Sequence, residues 1–441
     1  MKSIFRVFAP APEIERLPED KIPKTYNRFR WRILESTFFG YATFYLVRNN
    51  LPLISKEMGA DLQYTDSMIG DLFLATAIAY GVGKFFMGIL SDRSNPRIFM
   101  ATGLAITAII NVAFGGVTNH TVHIILWALN GLAQGMGWPP CGRSLGHWFS
   151  AKERGVYFAI WNTAHNVGGF AIALLAPFVA SLYGWQYAFY VPAAIAAIGS
   201  IYIFARLRDT PQSVGLPPIE EFKAEDYKDI VIHEDAERER TTYELVVNDV
   251  LKNPIIWIFA LSNFFVYIVR YGLISWGPTY LKVTKGADLT SGGMSTFLLE
   301  FAGIFSTILM GWLSDKVSGR RGMVSLLCLL PISISLFGIY STPNGYLWFD
   351  LLLFSVIGFF IYPPIMMLGV AGLDFTSKKA VGTAAGFIGL FGYVGSALQG
   401  KVLGVLADSQ YGWDSALLFL GVSLIFAILL LTFTWNLKPK Q

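Results

Sequence analysis

The stretch "GILSDRSNPR" at residues 88–97 returns as "GWLSDKVSGRR" at 311–321, 223 positions later. Both copies place an acid and bases where a long apolar run ends. Other pairs keep the same order: "GWPP" at 137–140 answers "IYPP" at 361–364 at an offset of 224, and "YGW" at 183–185 answers "YGW" at 411–413 at 228. An offset that drifts by only a few residues marks a duplicated unit. Parallel repeats about an axis along the membrane normal, with a site between them, are a recurrent plan of membrane carriers.

The medium is set by composition. The 441 residues are 54% hydrophobic and 15% charged, against about 25% charged in soluble domains. Twelve apolar runs lie near 33–54, 68–90, 98–117, 122–142, 156–180, 187–205, 254–281, 294–313, 322–340, 346–370, 380–405 and 413–435. Each is long enough to cross about 30 Å of hydrocarbon as a helix, the state that satisfies the backbone without water. The expected fold is therefore an all-α membrane protein of 12 transmembrane helices in two pseudo-symmetric six-helix bundles. The expected divisions are a cytoplasmic segment 1–30, a first bundle 31–207, a central loop 208–252, a second bundle 253–437 and a tail 438–441. The polar first 30 residues lack an apolar core, so no removable signal peptide is expected. Of the 34 lysines and arginines, 27 fall in segments that would share one side, which places both termini in the cytoplasm. The basic balance then reflects topology; nucleic acid is not implied. Cys141 and Cys328 lie within spans and suggest neither a disulfide framework nor a metal site; no cofactor is expected, and the chain is expected to act as a monomer.

Charges inside the spans are rare. "FYLVRNN" at 44–50 and "VYIVRYG" at 266–272 each bury an arginine, and Arg48 and Arg270 stand 222 positions apart at matching points of the repeat. A charge at the helix centre costs about 2.5–3.5 kcal/mol on insertion scales, so each is a functional-site hypothesis. A guanidinium fork matches phosphate or carboxylate with two parallel donors and stays charged. Two forks facing across an axis suit an oxyanion of about two negative charges. Tyr41 and Tyr45 share a helix face with Arg48 at i, i+4, i+7 spacing, as Asn263 and Tyr267 do with Arg270. Snorkelling to the headgroups is the alternative.

Lys84, one turn after Tyr80, adds a third cation; "GVGK" at 81–84 lacks the first glycine and the Ser/Thr of a phosphate-binding loop, and no enzyme activity is expected. His165 in "WNTAHNVGG", with Asn162 a turn earlier, can contact phosphate or make a structural hydrogen bond. Glu300, the lone acid deep in the second half, can pair with a cavity cation or touch substrate. Trp138, Tyr362 and Tyr393 are candidate cavity walls. Asp92, Arg93, Arg97, Asp315 and Lys316 can lock the cytoplasmic ends of neighbouring spans, or act only as charged anchors. The prolines at 139–140 and 363–364 should bend their spans.

The two arginines with "GMGWPPCGR", "WNTAHNVGG" and "GTAAGFIGLFGY" resemble the organophosphate:phosphate antiporters of the major facilitator superfamily, nearest to bacterial glycerol-3-phosphate transporters. The likeness runs from "FAPAPEIERLP" to the last span. It implies exchange of an organic phosphate for inorganic phosphate by alternating access in the inner membrane, with Arg48 and Arg270 on the phosphate and Lys84 and His165 beside them. Glycerol-3-phosphate members usually carry Lys and Asp where this chain has Asn49 and Ser275, and "RNN" and "ISW" look more like phosphoglycerate carriers. Phosphoglycerate or hexose-6-phosphate exchange, or a sugar-phosphate sensor that moves no cargo, are the alternatives. A proton-coupled carrier fits poorly, because spans 2–6 lack a deep acid.

Overall fold

The computed structural model describes residues 7–227, 243–317, 320–376 and 381–437. The first half contains α1 (Ile22–Leu46), α2 (Leu51–Leu62), α3 (Asp66–Asp92), α4 (Pro96–Gly115), α5 (His120–Gln134), α6 (Trp138–Trp148), α7 (Ala151–Asn162), α8 (Ala164–Tyr183) and α9 (Tyr187–Arg206). The second contains α10 (Pro254–Thr284), α11 (Leu289–Lys316), α12 (Arg321–Ser341), α13 (Leu347–Asp374), α14 (Val381–Ala407) and α15 (Gly412–Thr432). Among the described residues nine helices are long and apolar enough to cross a membrane. Expected spans 1, 4 and 5 are each broken into two helices, α1–α2, α5–α6 and, at Thr163, α7–α8.

Packing repeats with the sequence. In the first half α3 packs on α5 and α4 on α9; in the second, α11 packs on α13 and α12 on α15. The halves meet where α3 lies against α14, and again where its counterpart α11 lies against α8, with α2 against α10 near the axis. The contacts obey the pseudo-twofold.

The break in span 1 departs from that symmetry, and the chain chemistry explains it. Pro52 has no N–H to give the carbonyl of Arg48, so the helical ladder fails there. At the matching point of the second half stands Ile274, which can donate, and α10 continues through Arg270. Buried amides satisfy the carbonyls freed in the first half. The carbonyl of Val47 accepts from Asn111 Nδ2 at 3.2 Å and Asn130 Nδ2 at 3.0 Å, and that of Phe44 from Gln134 Nε2 at 3.1 Å. Asn50 Nδ2 donates to Asn111 Oδ1 at 2.9 Å and to the Ala188 carbonyl at 3.0 Å. Asn50, Asn111 and Asn130 are wholly buried. Span 4 behaves in a related way. Gly135–Gly137 precede Pro139 and Pro140, and the helix stops before them; Phe359–Ile361 precede Pro363 and Pro364, and α13 runs straight through. The expected likeness of the two proline sites is lost because only one has glycines to release the backbone.

At the end away from the termini, here the distal end, the halves are sealed. Lys282 Nζ reaches from α10 to the Leu53 carbonyl at 2.7 Å and Glu57 Oε2 at 2.8 Å on α2, and Ser55 Oγ lies 2.8 Å from Thr279 Oγ1. Lys401 on α14 pairs with Asp71 at 2.7 Å and donates to Ser67 Oγ at 2.8 Å. The Asp408 carboxylate caps α3, accepting from the N–H groups of Asp66 at 3.1 Å and Ser67 at 2.6 Å, where the helix dipole favours an anion. Bare glycines allow the approach: a Cβ on Gly70 would stand 2.7 Å from the Gly400 carbonyl oxygen.

Two outcomes follow from these contacts. Asn111→Leu leaves the Asn50 amide short of a partner inside the bundle and should cost about 2 kcal/mol, read as a lower thermal midpoint in detergent. Cysteines replacing Ser55 and Thr279 should cross-link readily, and Lys282→Met should lower the yield; an unchanged yield would show that this lysine does not hold the seal.

Candidate functional site

Arg48 sits in the break between α1 and α2, and Arg270 lies midway along α10. Both line one cavity of about 70 Å³ between the halves. Aromatic faces flank both guanidiniums. Arg48 Cζ is 4.0 Å from the Tyr80 ring centroid and 5.3 Å from that of Tyr45. Arg270 Cζ is 4.6 Å from the Tyr362 centroid and 5.1 Å from that of Tyr271. Among the described residues neither arginine has an ion-pair partner, and Arg270 is 8% exposed, its Nε without a hydrogen-bond partner. Ring quadrupoles attract a cation but leave its net charge in place. Each half thus presents a guanidinium to the same space, which one carboxylate on its wall, that of Glu300, leaves net positive.

Of the other candidate walls, Tyr45, Tyr80, Glu300 and Tyr393 also border this cavity. Tyr41 stacks on Trp161 at 5.0 Å and backs Tyr45, while Tyr267 stands behind Tyr393 at 5.7 Å. Trp138, Asn162 and Tyr362 likewise lie off its wall. A helix face shared by three side chains is wider than the cavity it meets. Asn263 Nδ2 donates to the Ile388 carbonyl at 2.9 Å and ties α10 to α14.

His165 lies between the halves, its ring 5.8 Å from Tyr45 and 5.7 Å from Tyr362. Its Nδ1 bonds the Asn162 carbonyl, which fixes the proton there in the neutral ring and leaves Nε2 as the acceptor. Glu300, 1% exposed, accepts from Asn166 Nδ2 at 2.8 Å and from the Tyr362 hydroxyl at 2.5 Å. It is held by neutral donors, one from each half, and forms no ion pair with a cavity cation. Lys84 Nζ donates across the axis to Tyr393 Oη at 3.2 Å and lies 5.6 Å from the Trp138 ring centroid.

At the proximal end Asp92, Arg93 and Lys316 are exposed, and the side chain of Asp315 lies outside the described residues. Arg97 donates through Nε to the Phe204 carbonyl at 2.5 Å and covers that ring at 4.2 Å. The contact is within the first half. Arg143 holds the same loop: it donates to the Ser91 carbonyl at 3.3 Å and to that of Ser94, and pairs with the buried Asp209 at 3.0 Å. Sequence reasoning missed Arg143, and it passed over Thr76, Tyr271, Ser396 and Gln399 in the cavity wall. It noted Asn49 and Ser275 only as departures from a pattern. The available signal was a polar residue within an apolar run.

Residues 37–400 match the Major Facilitator Superfamily. A glycerol-3-phosphate transporter of Bacillus subtilis is 42% identical, with 98% of each chain covered. A probable hexose phosphate transport protein of Chlamydia muridarum is 38% identical over 99% of this chain and 98% of its own length. The membrane sensor protein UhpC of Escherichia coli is 36% identical over 98% of this chain and 99% of its own. Among solved structures, an inward-facing, unoccupied bacterial homolog of the human lysosomal transporter Spinster superposes with a TM-score of 0.71 at 15% identity, covering 92% of this chain and 96% of that one; it supports the fold. With the fold and the similarity both spanning nearly the whole chain, this protein belongs to the major facilitator superfamily, in its organophosphate:phosphate antiporter family.

Proposed function

We propose that the protein exchanges an organic phosphate ester, glycerol-3-phosphate first among candidates, for inorganic phosphate by alternating access, as a monomer in the bacterial inner membrane with both termini cytoplasmic. One observation carries this reading: Arg48 and Arg270, one from each half, face one cavity without ion-pair partners. Two unit charges about 10 Å apart repel by about 1.7 kcal/mol at an effective dielectric near 20. A phosphate between them reverses the sign. The loaded protein then draws its halves together while the empty one resists, and exchange follows when only loaded forms turn over quickly.

The distal seal of Lys282, Glu57, Lys401 and Asp71 must part in each cycle. Asp92, Arg93, Arg97, Asp315 and Lys316 are assigned the opposing closure at the proximal end. Lys84 is placed on the path of the anion, and its bond to Tyr393 is one that an entering phosphate can displace. His165 Nε2, as an acceptor, suits the P–OH of a monoprotonated phosphate.

Arg48→Lys and Arg270→Lys each remove a bidentate fork and should weaken phosphate exchange in vesicles roughly 10- to 100-fold, with membrane insertion retained. Wild-type rates in either variant would defeat the scheme. Labelled phosphate that binds but does not cross would instead mark a sensor. The advantage of wild type over His165→Ala should be larger at pH 6 than at pH 8, because a phosphate ester gains its second charge near pH 6 and then has no proton to give Nε2. Inhibition constants at the two pH values check the sign.

A further inference from the structure

Beyond the arginines the cavity continues toward the distal seal, and its chemistry changes. Ser275 lies five residues past Arg270 on α10; Ser396 and Gln399 lie three and six residues past Tyr393 on α14. At about 1.5 Å per residue these positions form a floor some 5–9 Å beyond the phosphate level. Cα–Cβ bonds tilt toward a helix N-terminus, and both helices start at the proximal end, so the three side chains lean back toward the arginines. Asn49 joins them from the break beside Arg48. All four residues line the cavity.

Most of their hydrogen-bonding capacity is unspent. Among the described residues the side chains of Asn49, Ser275 and Ser396 have no hydrogen-bond partner. Gln399, 1% exposed, uses Nε2 on the Ser396 carbonyl at 3.1 Å and leaves Oε1 with none. Thr76, on the same wall, behaves differently: its hydroxyl is already committed to the Leu72 carbonyl at 2.8 Å. Buried polar groups are ordinarily paired, so the free hydroxyls of Ser275 and Ser396 and the free amide oxygen of Gln399, with the half-buried Asn49 beside them, mark a place where a ligand supplies the partners. The floor is also uncharged. Among the described residues the ionised groups bordering the cavity are Arg48, Arg270 and Glu300, and the Glu300 carboxylate, held by Asn166 and Tyr362, repels a second anion. A carboxylate seated on the floor would lose its water and meet no cation.

We propose that Asn49, Ser275, Ser396 and Gln399 form a hydroxyl-reading subsite for the uncharged end of the phosphate ester. Resting on the reading of Arg48 and Arg270 as the phosphate clamp, it assigns the substrate class: small polyol phosphates, in preference to esters that carry a second carboxylate. The "RNN" and "ISW" patterns that pointed to phosphoglycerate give way here to the absence of any cation on the floor. A site that hydrogen-bonds a substrate hydroxyl discriminates sharply against the analogue lacking it.

The test is competition against labelled inorganic phosphate exchange in proteoliposomes, with glycerol-3-phosphate, propyl phosphate and 3-phosphoglycerate as inhibitors. Glycerol-3-phosphate should inhibit at least tenfold better than either of the others. Within the Ser275→Ala/Gln399→Leu protein its lead over propyl phosphate should shrink to about threefold or less. Ser275→Lys, which puts a cation on the floor, should improve 3-phosphoglycerate about tenfold relative to glycerol-3-phosphate. Equal inhibition by propyl phosphate in wild type, or a lead that survives both substitutions, overturns the subsite. Should wild type exchange no phosphate at all, transport fails while the subsite is still read, because thermal stabilisation by the three esters must follow the same ranking or refute it.

Discussion

A guanidinium without an ion-pair partner is expensive in a membrane, and among the described residues this protein sets two around one cavity. Tyr80 and Tyr45 shelter one, Tyr362 and Tyr271 the other. Aromatic faces stabilise the cations without cancelling their charge, whereas a carboxylate in the same place would leave nothing for an incoming anion. Glu300, held by Asn166 and Tyr362, offsets part of that charge, but one carboxylate against two guanidiniums leaves a surplus. The field of the cavity stays positive, and the tyrosine-rich walls, the cross-axis helix contacts and the closed distal end serve to present it.

The fold was legible because the signals that specify it are long-ranged and redundant. Charge scarcity, apolar run length and a repeat that keeps register over the whole chain all point to one architecture, and the contacts repeat with the same symmetry. Span 4 was expected only to bend and span 1 to run on, and both are broken, although the cause is local. Pro52 denies a donor to the carbonyl of Arg48, and glycines before Pro139 release the backbone. Whether a membrane helix continues past a proline depends on what else can satisfy the carbonyls around the break, and for Val47 that role falls to Asn111 and Asn130 from helices distant in sequence.

The site was legible in its charges and much less so in its neutral parts. Arg48 and Arg270 stand out because ionised groups are costly in hydrocarbon and because they repeat. Ser275, Ser396 and Gln399 look in sequence like Thr76, a polar residue of an apolar span whose hydroxyl has an ordinary partner. Only the pattern of spent and unspent hydrogen bonds separates them, and that pattern is a property of the packed molecule. Tyr41 and Tyr267 were placed on the right faces, since helical spacing fixes direction. Spacing does not fix how far a cavity extends, and each packs behind a tyrosine that borders it.

The duplicated halves differ most at their shared centre. One arginine rides on an uninterrupted rod, and the other on an articulated joint whose far arm, Leu51–Leu62, is fastened to the opposite half by Lys282. A rod and a joint do not yield alike under the same pull. A load shared by both arginines is carried straight along Pro254–Thr284 but meets an elbow in the first half. Duplication supplied a symmetric frame, and one proline made its two halves mechanically unlike.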